Sequence, residues 1–204
     1  MVLMKYIKRN FNSIAVFIGL ISYYFFSIIA LLKFTGGFDI LNDLWTHLRW
    51  YGYNPEGALF FRTGNLIYGG TLLLFFFGFN KWSTEIQKKK RFITLNQIIG
   101  LIIAILMIIT ELFADVDLIF FITSGLSLLL MIVFLIAAPL SLYHHPKFWK
   151  ILIIFFIINI GFNSYLLYLG ITDALIVEFR IVDFLVTAFN QLSICLIAIN
   201  MLST

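Results

Sequence analysis

The sequence predicts an all-α polytopic membrane protein, a bundle of six transmembrane helices with an outer amphipathic helix between helices 1 and 2. Three observations predict it: the composition, the lengths of six apolar segments, and the distribution of Lys and Arg. Of 204 residues, 62% are hydrophobic and only 12% are charged, whereas soluble domains carry roughly 45–50% and about 25%. Because a water-soluble fold cannot cover so much apolar surface, soluble enzymes, disordered regulators and fibrous proteins are excluded.

Six segments are long enough to cross a bilayer core of about 30 Å, which takes roughly 20 helical residues. The first follows a basic start, Lys5 to Arg9, like a signal peptide, but it is longer than a signal peptide's apolar region. We therefore expect a retained helix, and one integral membrane domain over 1–204. The second is expected to be the inner part of a longer helix that starts near Pro55. The predicted spans are 13–32, 61–79, 92–113, 118–138, 148–169 and 184–202.

Basic residues predict the orientation of these spans. Ten of the 14 Lys and Arg residues lie before span 1 or in loops 80–91 and 139–150. By the positive-inside rule, we expect both termini to be cytoplasmic. Placement in the plasma membrane assumes a prokaryote-like cell with a single membrane. Basic residues that flank apolar spans also account for the net charge of +4, so we expect no nucleic-acid partner. The ten are Lys5, Lys8, Arg9, Lys81, Lys88, Lys89, Lys90, Arg91, Lys147 and Lys150.

The long outer loop, 33–60, has the most room for function. Gly36-Gly37 is predicted to end helix 1, and apolar residues recur at helical spacing over 38–51, which predicts an amphipathic helix at the membrane surface. Acid–base or metal chemistry is one interpretation of the polar residues on its other face, with a contribution from Glu56. A solvated polar face is the other interpretation. The weak catalytic candidates are Asp39, Asp43, His47 and Glu56.

Charged residues near the outer ends of the spans predict a ligand-binding layer. Arg62 lies near the outer interface, where its guanidinium either pairs inside the bundle or holds an anionic lipid headgroup. The partners considered for it are Glu56, Asp43, Glu111 and Asp183. The predicted layer consists of Arg62, Glu111, Arg180 and Asp183.

Amides and glycines predict contacts between helices. Asn159 and Asn163 on helix 5 are expected to contact Asn190 and Gln191 on helix 6, because buried amides seek partners where no water competes. The turn 114–117 should join helices 3 and 4 as a hairpin. Close helix approach is expected at Gly64, Gly69, Gly70 and Gly100.

Recognised motifs for zinc, acyl-transfer or phosphate chemistry do not occur in the chain. The single cysteine, Cys195, excludes a disulfide framework. The adjacent His144 and His145 point in different directions on a regular backbone, which argues against a metal pair. We therefore expect no cofactor and no metal site.

The motifs of the outer loop and span 2 resemble those of the six-helix membrane proteins grouped as DUF998. Asn42-Asp-Leu-Trp, then the run from Tyr53 to Gly70 with Asn-Pro and Phe-Phe-Arg-Thr-Gly, is similar to the family's pattern. The stretches 145–148 and 177–182 also match. Asn42, Trp45 and Arg62 stand where the pattern tends to have Ser, Gly and Asn, and a histidine of the pattern is missing at the start of span 4. The resemblance implies a fold and no activity, and a weaker likeness to Frag1/DRAM/Sfk1-type proteins hints at lipid-related roles.

Three functions therefore stand open. The first is non-enzymatic binding or organisation of membrane lipids at the outer leaflet. The second is a membrane enzyme acting on lipid headgroups, which predicts an outward cavity where the catalytic candidates converge. The third is a small-solute transporter that uses the layer of Asn159, Asn190 and Gln191 and predicts a cavity at mid-depth. Protein partners and oligomeric state cannot be predicted from the sequence.

Overall fold

Six long helices make up nearly all of the computed structural model, which describes residues 2–39, 43–79, 87–142, 149–171 and 177–202. Each helix contains a stretch of 20–24 residues apolar enough to cross a membrane. The predicted six-span fold is confirmed, and the chain is a multi-pass membrane protein. The helices are α1 Val2–Leu32, α2 Ala58–Phe77, α3 Gln87–Leu112, α4 Asp117–Leu142, α5 Trp149–Ile171 and α6 Val177–Leu202.

The helices form a closed ring in chain order. Each packs against the next along the chain, and α6 also packs against α1. Their outward faces carry exposed apolar side chains such as Ile21, Phe25 and Ile157, as a surface in contact with lipid requires. The buried apolar residues form one large cluster that reaches all six helices and a smaller one around Leu166 and Val186 on α5 and α6.

Small residues bring neighbouring helices together at three of the four predicted glycines. A Cβ at Gly64 would lie 2.9 Å from the Phe26 Cβ of α1 and 3.2 Å from the Tyr23 carbonyl oxygen. Gly69 and Gly100 face side chains of the adjacent helix just as closely. The expectation is wrong for Gly70, where a Cβ would meet no atom of another helix within 4 Å.

The segment 43–57 folds over one end of the ring and is called the capping segment below; that end is the capped end. Helix α1 ends at Leu32, and Gly36 and Gly37 follow in the connection to the capping segment with φ angles of +82° and +86°. The predicted amphipathic helix over 38–51 is wrong for the described residues, which contain only a 3₁₀ helix at Trp45–Arg49. The reason is that Trp45 and Leu48 are buried in the bundle instead of lying flat on a membrane surface.

Asn54 organises the end of the capping segment. Its side-chain oxygen accepts a hydrogen bond from the Gly57 amide at 3.0 Å, and its Nδ2 donates to the carbonyls of Ala30 at 3.1 Å and Leu48 at 3.2 Å. The predicted helix start near Pro55 is therefore three residues early, since α2 begins at Ala58 after a turn that Asn54 stabilises.

The predicted amide contact between α5 and α6 is confirmed. Asn163 and Asn190 exchange two hydrogen bonds, of 2.9 and 3.2 Å, and Asn159 donates to the Ser193 hydroxyl at 2.9 Å. Several predictions lie outside the described residues, among them Leu41, Asn42, Lys81, and the His144–His145 pair with the motif that follows it.

Candidate functional site

A cavity of about 220 Å³ occupies the centre of the ring. All six helices and the capping segment contribute to its wall. Along α6 the wall runs from Asp183 to Ile194, and eleven residues of helix span about 16 Å. The cavity is therefore long and narrow, and it follows the helix axes from the capped end past mid-depth.

Three charged side chains form the wall at the capped end: Arg49, Glu111 and Asp183. The guanidinium of Arg49 forms an ion pair with Glu111 at 3.2 Å. It also lies between the rings of Phe61 and Phe120, 5.5 and 5.3 Å from their centroids. These contacts fix Arg49 in an almost dry setting, where ion pairs are strong but their desolvation is costly.

Asp183 attaches the capping segment to α6. Its Oδ2 accepts a hydrogen bond from the Thr46 amide at 3.0 Å. Next to it, the Trp45 indole donates to the Tyr23 hydroxyl of α1, the neighbour of α6 in the ring, at 2.6 Å. The capping segment thus closes the ring by hydrogen bonds to helices that lie at opposite ends of the sequence.

The wall becomes progressively less polar away from the cap. Its middle part contains amides and hydroxyls, and its far part is apolar. The middle residues include Asn65, Tyr68, Met107, Ser124, Ser127, Asn190 and Gln191, and the far residues include Leu72, Phe76, Ile103, Met131 and Ile194.

Packed aromatic rings close the far end of the cavity. Phe76 contacts Phe79 and Phe134 with ring centroids 5.8 and 5.6 Å apart, and all three side chains are buried. The cavity therefore has a polar end and an apolar end that is blocked.

Four residues of the wall each hold a buried polar atom without a hydrogen-bond partner. These atoms are Arg49 Nε, Glu111 Oε2, Ser127 Oγ and Gln191 Oε1. A buried polar group without a hydrogen-bond partner costs about 1–3 kcal/mol of folding free energy, so four of them around one cavity are destabilising. Buried polar groups are normally partnered by protein or by ordered water, so these four atoms are the unmet positions of the wall.

The structure brings two of the four predicted ligand-binding residues, Glu111 and Asp183, together in this wall. Arg62 is committed elsewhere: its two terminal nitrogens bind Asp115 at 2.8 and 2.5 Å, and its Nε donates to the Arg49 carbonyl at 2.8 Å. Its partner is none of the four carboxylates considered from the sequence. Arg180 lies near His47 and outside the cavity wall as described.

The Arg62 ion pair also has an electrostatic effect on the turn between α3 and α4. Hydrogen bonds from the Arg62 guanidinium hold the pKa of the Asp115 carboxyl below its usual value. The side chain of Asp115 is 58% exposed, so the pair adds modestly to stability. The face of the guanidinium stacks on Tyr51, 4.5 Å from the ring centroid.

The four weak catalytic candidates lie in two separate places. Asp43 lies 3.9 Å from His47, and the exposed Glu56 lies 3.8 Å from Lys33. Asp39 is exposed, and its backbone amide donates to Asp43 at 2.9 Å. Within the described part of the chain, no three His, Cys, Asp or Glu side chains are grouped as a metal ion would need.

Sequence reasoning missed Arg49, the only cation in the described cavity wall. Its position in a segment predicted to lie on the membrane surface made it look solvated. The available signal was its place between Leu48 and Trp50, in a loop rich in aromatic residues that could cover a charge. Comparisons with protein-family models, curated proteins and solved structures find no match, so the resemblance to the DUF998 proteins stays a prediction.

Proposed function

We propose that the protein binds one membrane-derived amphiphile, such as a lipid, inside the ring, with its polar head at the capped end. The main support for this proposal is that the wall of one cavity changes from charged to apolar residues over about 16 Å. A headgroup would meet Arg49 and Glu111, and an alkyl chain would lie against residues such as Leu72 and Met131. Ligand sites in helical bundles have this composition, mostly apolar with a few polar groups.

The proposed orientation places this headgroup site in the outer leaflet. Both termini are at the end opposite the cap, and with the basic loops in the cytoplasm the cap faces outward. An amphiphile of the outer leaflet would then enter with its head at the depth that it already occupies. The proposed location is the plasma membrane of a prokaryote-like cell.

The cavity size supports a chain-like ligand. An engineered apolar cavity of about 150 Å³ already takes up benzene, and this one is about 220 Å³. The volume suits one short alkyl chain with its head better than a complete two-chain lipid. A larger lipid would need its second chain to lie between helices or against the outer surface.

Passage of a small polar solute is the second candidate. It is favoured by Asn190 and Gln191, which line the cavity at mid-depth. Against it stands the aromatic closure of Phe76, Phe79 and Phe134, which a solute would have to displace to cross. Flux of a labelled solute into proteoliposomes, lost when Gln191 is replaced by Met, would favour this candidate over amphiphile binding.

The experiment for amphiphile binding is native mass spectrometry after purification in a mild detergent. A mass adduct of fixed stoichiometry is expected on the wild type. Ser127→Leu fills the middle of the cavity from α4 and should abolish the adduct, because the added side chain occupies space that the ligand needs.

The matched control is Ser164→Leu, which makes the same change at an exposed position of α5 outside the cavity wall. It should leave the adduct intact. An adduct that survives Ser127→Leu, or that both variants lose equally, would contradict binding inside the ring.

A further inference from the structure

We infer that the headgroup taken by the cavity donates hydrogen bonds and carries no negative charge, which means a hydroxyl or a primary ammonium. This inference rests on the proposed function and narrows its ligand class. Its basis is the chemistry of the wall at the capped end and in the middle of the cavity.

The unpartnered atoms favour a donor. Glu111 is 2% exposed and Gln191 is 5% exposed, and each has a buried oxygen that accepts no hydrogen bond. The Glu111 oxygen needs a donor from the ligand, and the Gln191 oxygen needs one from the ligand or from the hydroxyl of Tyr23, to which the Gln191 amide is hydrogen-bonded. Only one unpartnered atom of the wall, Arg49 Nε, needs an acceptor, while the Ser127 hydroxyl can serve either way. A hydroxyl head supplies both roles, and an ammonium supplies up to three donors.

The formal charge of the wall disfavours an anion. The charged residues that line the cavity are Arg49, Glu111 and Asp183, so one positive charge faces two negative ones. The guanidinium of Arg49 is already paired with the Glu111 carboxylate at 3.2 Å. A phosphate offers only acceptors and would bring a further negative charge into a low-dielectric site with an excess negative charge.

The nearby arginine that could suit a phosphate is engaged as well. The guanidinium fork of Arg62 already binds both oxygens of Asp115, which is the geometry that a phosphate would use. An anionic headgroup would have to displace that carboxylate before it gained the contact. The positive groups at the capped end are therefore matched within the protein, while the acceptors of the cavity are not.

The test compares four amphiphiles that share an octyl chain and differ only in the head. They are octylamine, 1-octanol, octyl methyl ether and octyl phosphate. The protein is placed in phosphatidylcholine nanodiscs, and apparent Kd values are taken from the rise of the unfolding midpoint with ligand concentration. The same series on Ser127→Leu measures the effect of partition into the bilayer and is subtracted.

We expect octylamine and 1-octanol to bind at least about tenfold more tightly than octyl phosphate, since both can donate a hydrogen bond to the Glu111 carboxylate. Octyl methyl ether, which has no donor, should bind as poorly as the phosphate. Equal or tighter binding of octyl phosphate would overturn the inference and leave the proposed function standing. If all four affect the wild type and Ser127→Leu alike, the proposed function fails, and the inference fails with it.

Two variants locate the head. Glu111→Gln should reduce the preference for octylamine over octyl phosphate by about tenfold or more. Gln191→Met removes the second acceptor without removing a charge, so it keeps the test informative if Glu111→Gln does not fold. It should weaken 1-octanol binding several-fold. Gln97→Met is the control, because Gln97 donates to the Phe77 carbonyl away from the cavity wall. Unchanged head preference in both cavity variants would place the headgroup elsewhere.

Discussion

At the scale of single residues, His47 stabilises the capping segment through contacts that its neutral imidazole makes. Its ring stacks on Tyr53 with centroids 4.0 Å apart, and its Nδ1 accepts a hydrogen bond from the Leu44 amide at 3.2 Å. Partial burial lowers the pKa of His47 below 6.5, and nearby Arg180 lowers it further, while Asp43 raises it. The folded protein therefore favours the neutral imidazole.

A pH dependence follows from this lowered pKa. Above pH 6.5 the imidazole is neutral in both the folded and the unfolded state, so its contacts contribute fully. Below that value the unfolded state binds the proton more readily, and stability is lost as the pH falls through the folded-state pKa. We expect the difference in thermal midpoint between the wild type and His47→Gln to shrink from about pH 8 to about pH 5.

The measurement is tryptophan-monitored unfolding in detergent, with Asp43→Asn as an internal check. Because Asp43 raises the pKa of His47, its removal should make the loss of stability at low pH steeper. A midpoint difference between wild type and His47→Gln that stays constant across the pH range would show that this histidine does not titrate as described.

Helix contacts depend on how closely two backbones approach, and α1 and α2 offer a clean comparison. Gly64→Ala places a Cβ 2.9 Å from the Phe26 Cβ, so the helices must separate. Overpacking of this kind costs about 1–3 kcal/mol. Gly70→Ala, six residues along the same helix, meets open space and should change stability little. Urea or thermal unfolding of both variants in one detergent measures the difference, and equal midpoints would refute the close approach.

The amide pair between α5 and α6 should show coupling in a double-mutant cycle. Asn163→Leu or Asn190→Leu alone leaves one amide without its partner, whereas the double variant removes both. We expect a coupling energy of about 0.6 kcal/mol, the average found for hydrogen bonds between membrane helices. Unfolding free energies of the four proteins provide the value. Additive effects would mean that the two amides act independently.

For the whole molecule, hydropathy was sufficient to predict six helices, because apolar length in a bilayer leaves the backbone no alternative. Periodicity failed in the capping segment. The spacing of Leu44, Trp45 and Leu48 suits a surface helix. Trp45 and Leu48 instead belong to a short 3₁₀ helix, which Leu44 precedes, and their side chains pack into the ring. The spacing of apolar residues does not show whether they face a membrane surface or the interior of a helix bundle.

The site was only partly predictable for a similar reason. Glu111 and Asp183 could be identified because carboxylates near helix ends in a membrane are rare and expensive. Their common neighbour Arg49 is 134 residues before Asp183, and Asp115, the partner of Arg62, looked like an ordinary turn residue. Pairings of this kind depend on which helices are adjacent, which follows from the closed ring and not from any local pattern.

The hydrogen bond from the Thr46 amide to Asp183 joins positions 137 residues apart, and this separation has a consequence for biosynthesis. At about 5–20 residues per second, roughly 7–27 s pass between synthesis of the cover and synthesis of its anchor. During that interval the indole of Trp45 and the charge of Arg49 have no finished bundle to enter. The capping segment is held in place only when α6 arrives, so a nascent chain that lacks α6 has neither the closed ring nor the proposed ligand site. Synthesis of α6 and closure of the ring are thus one event.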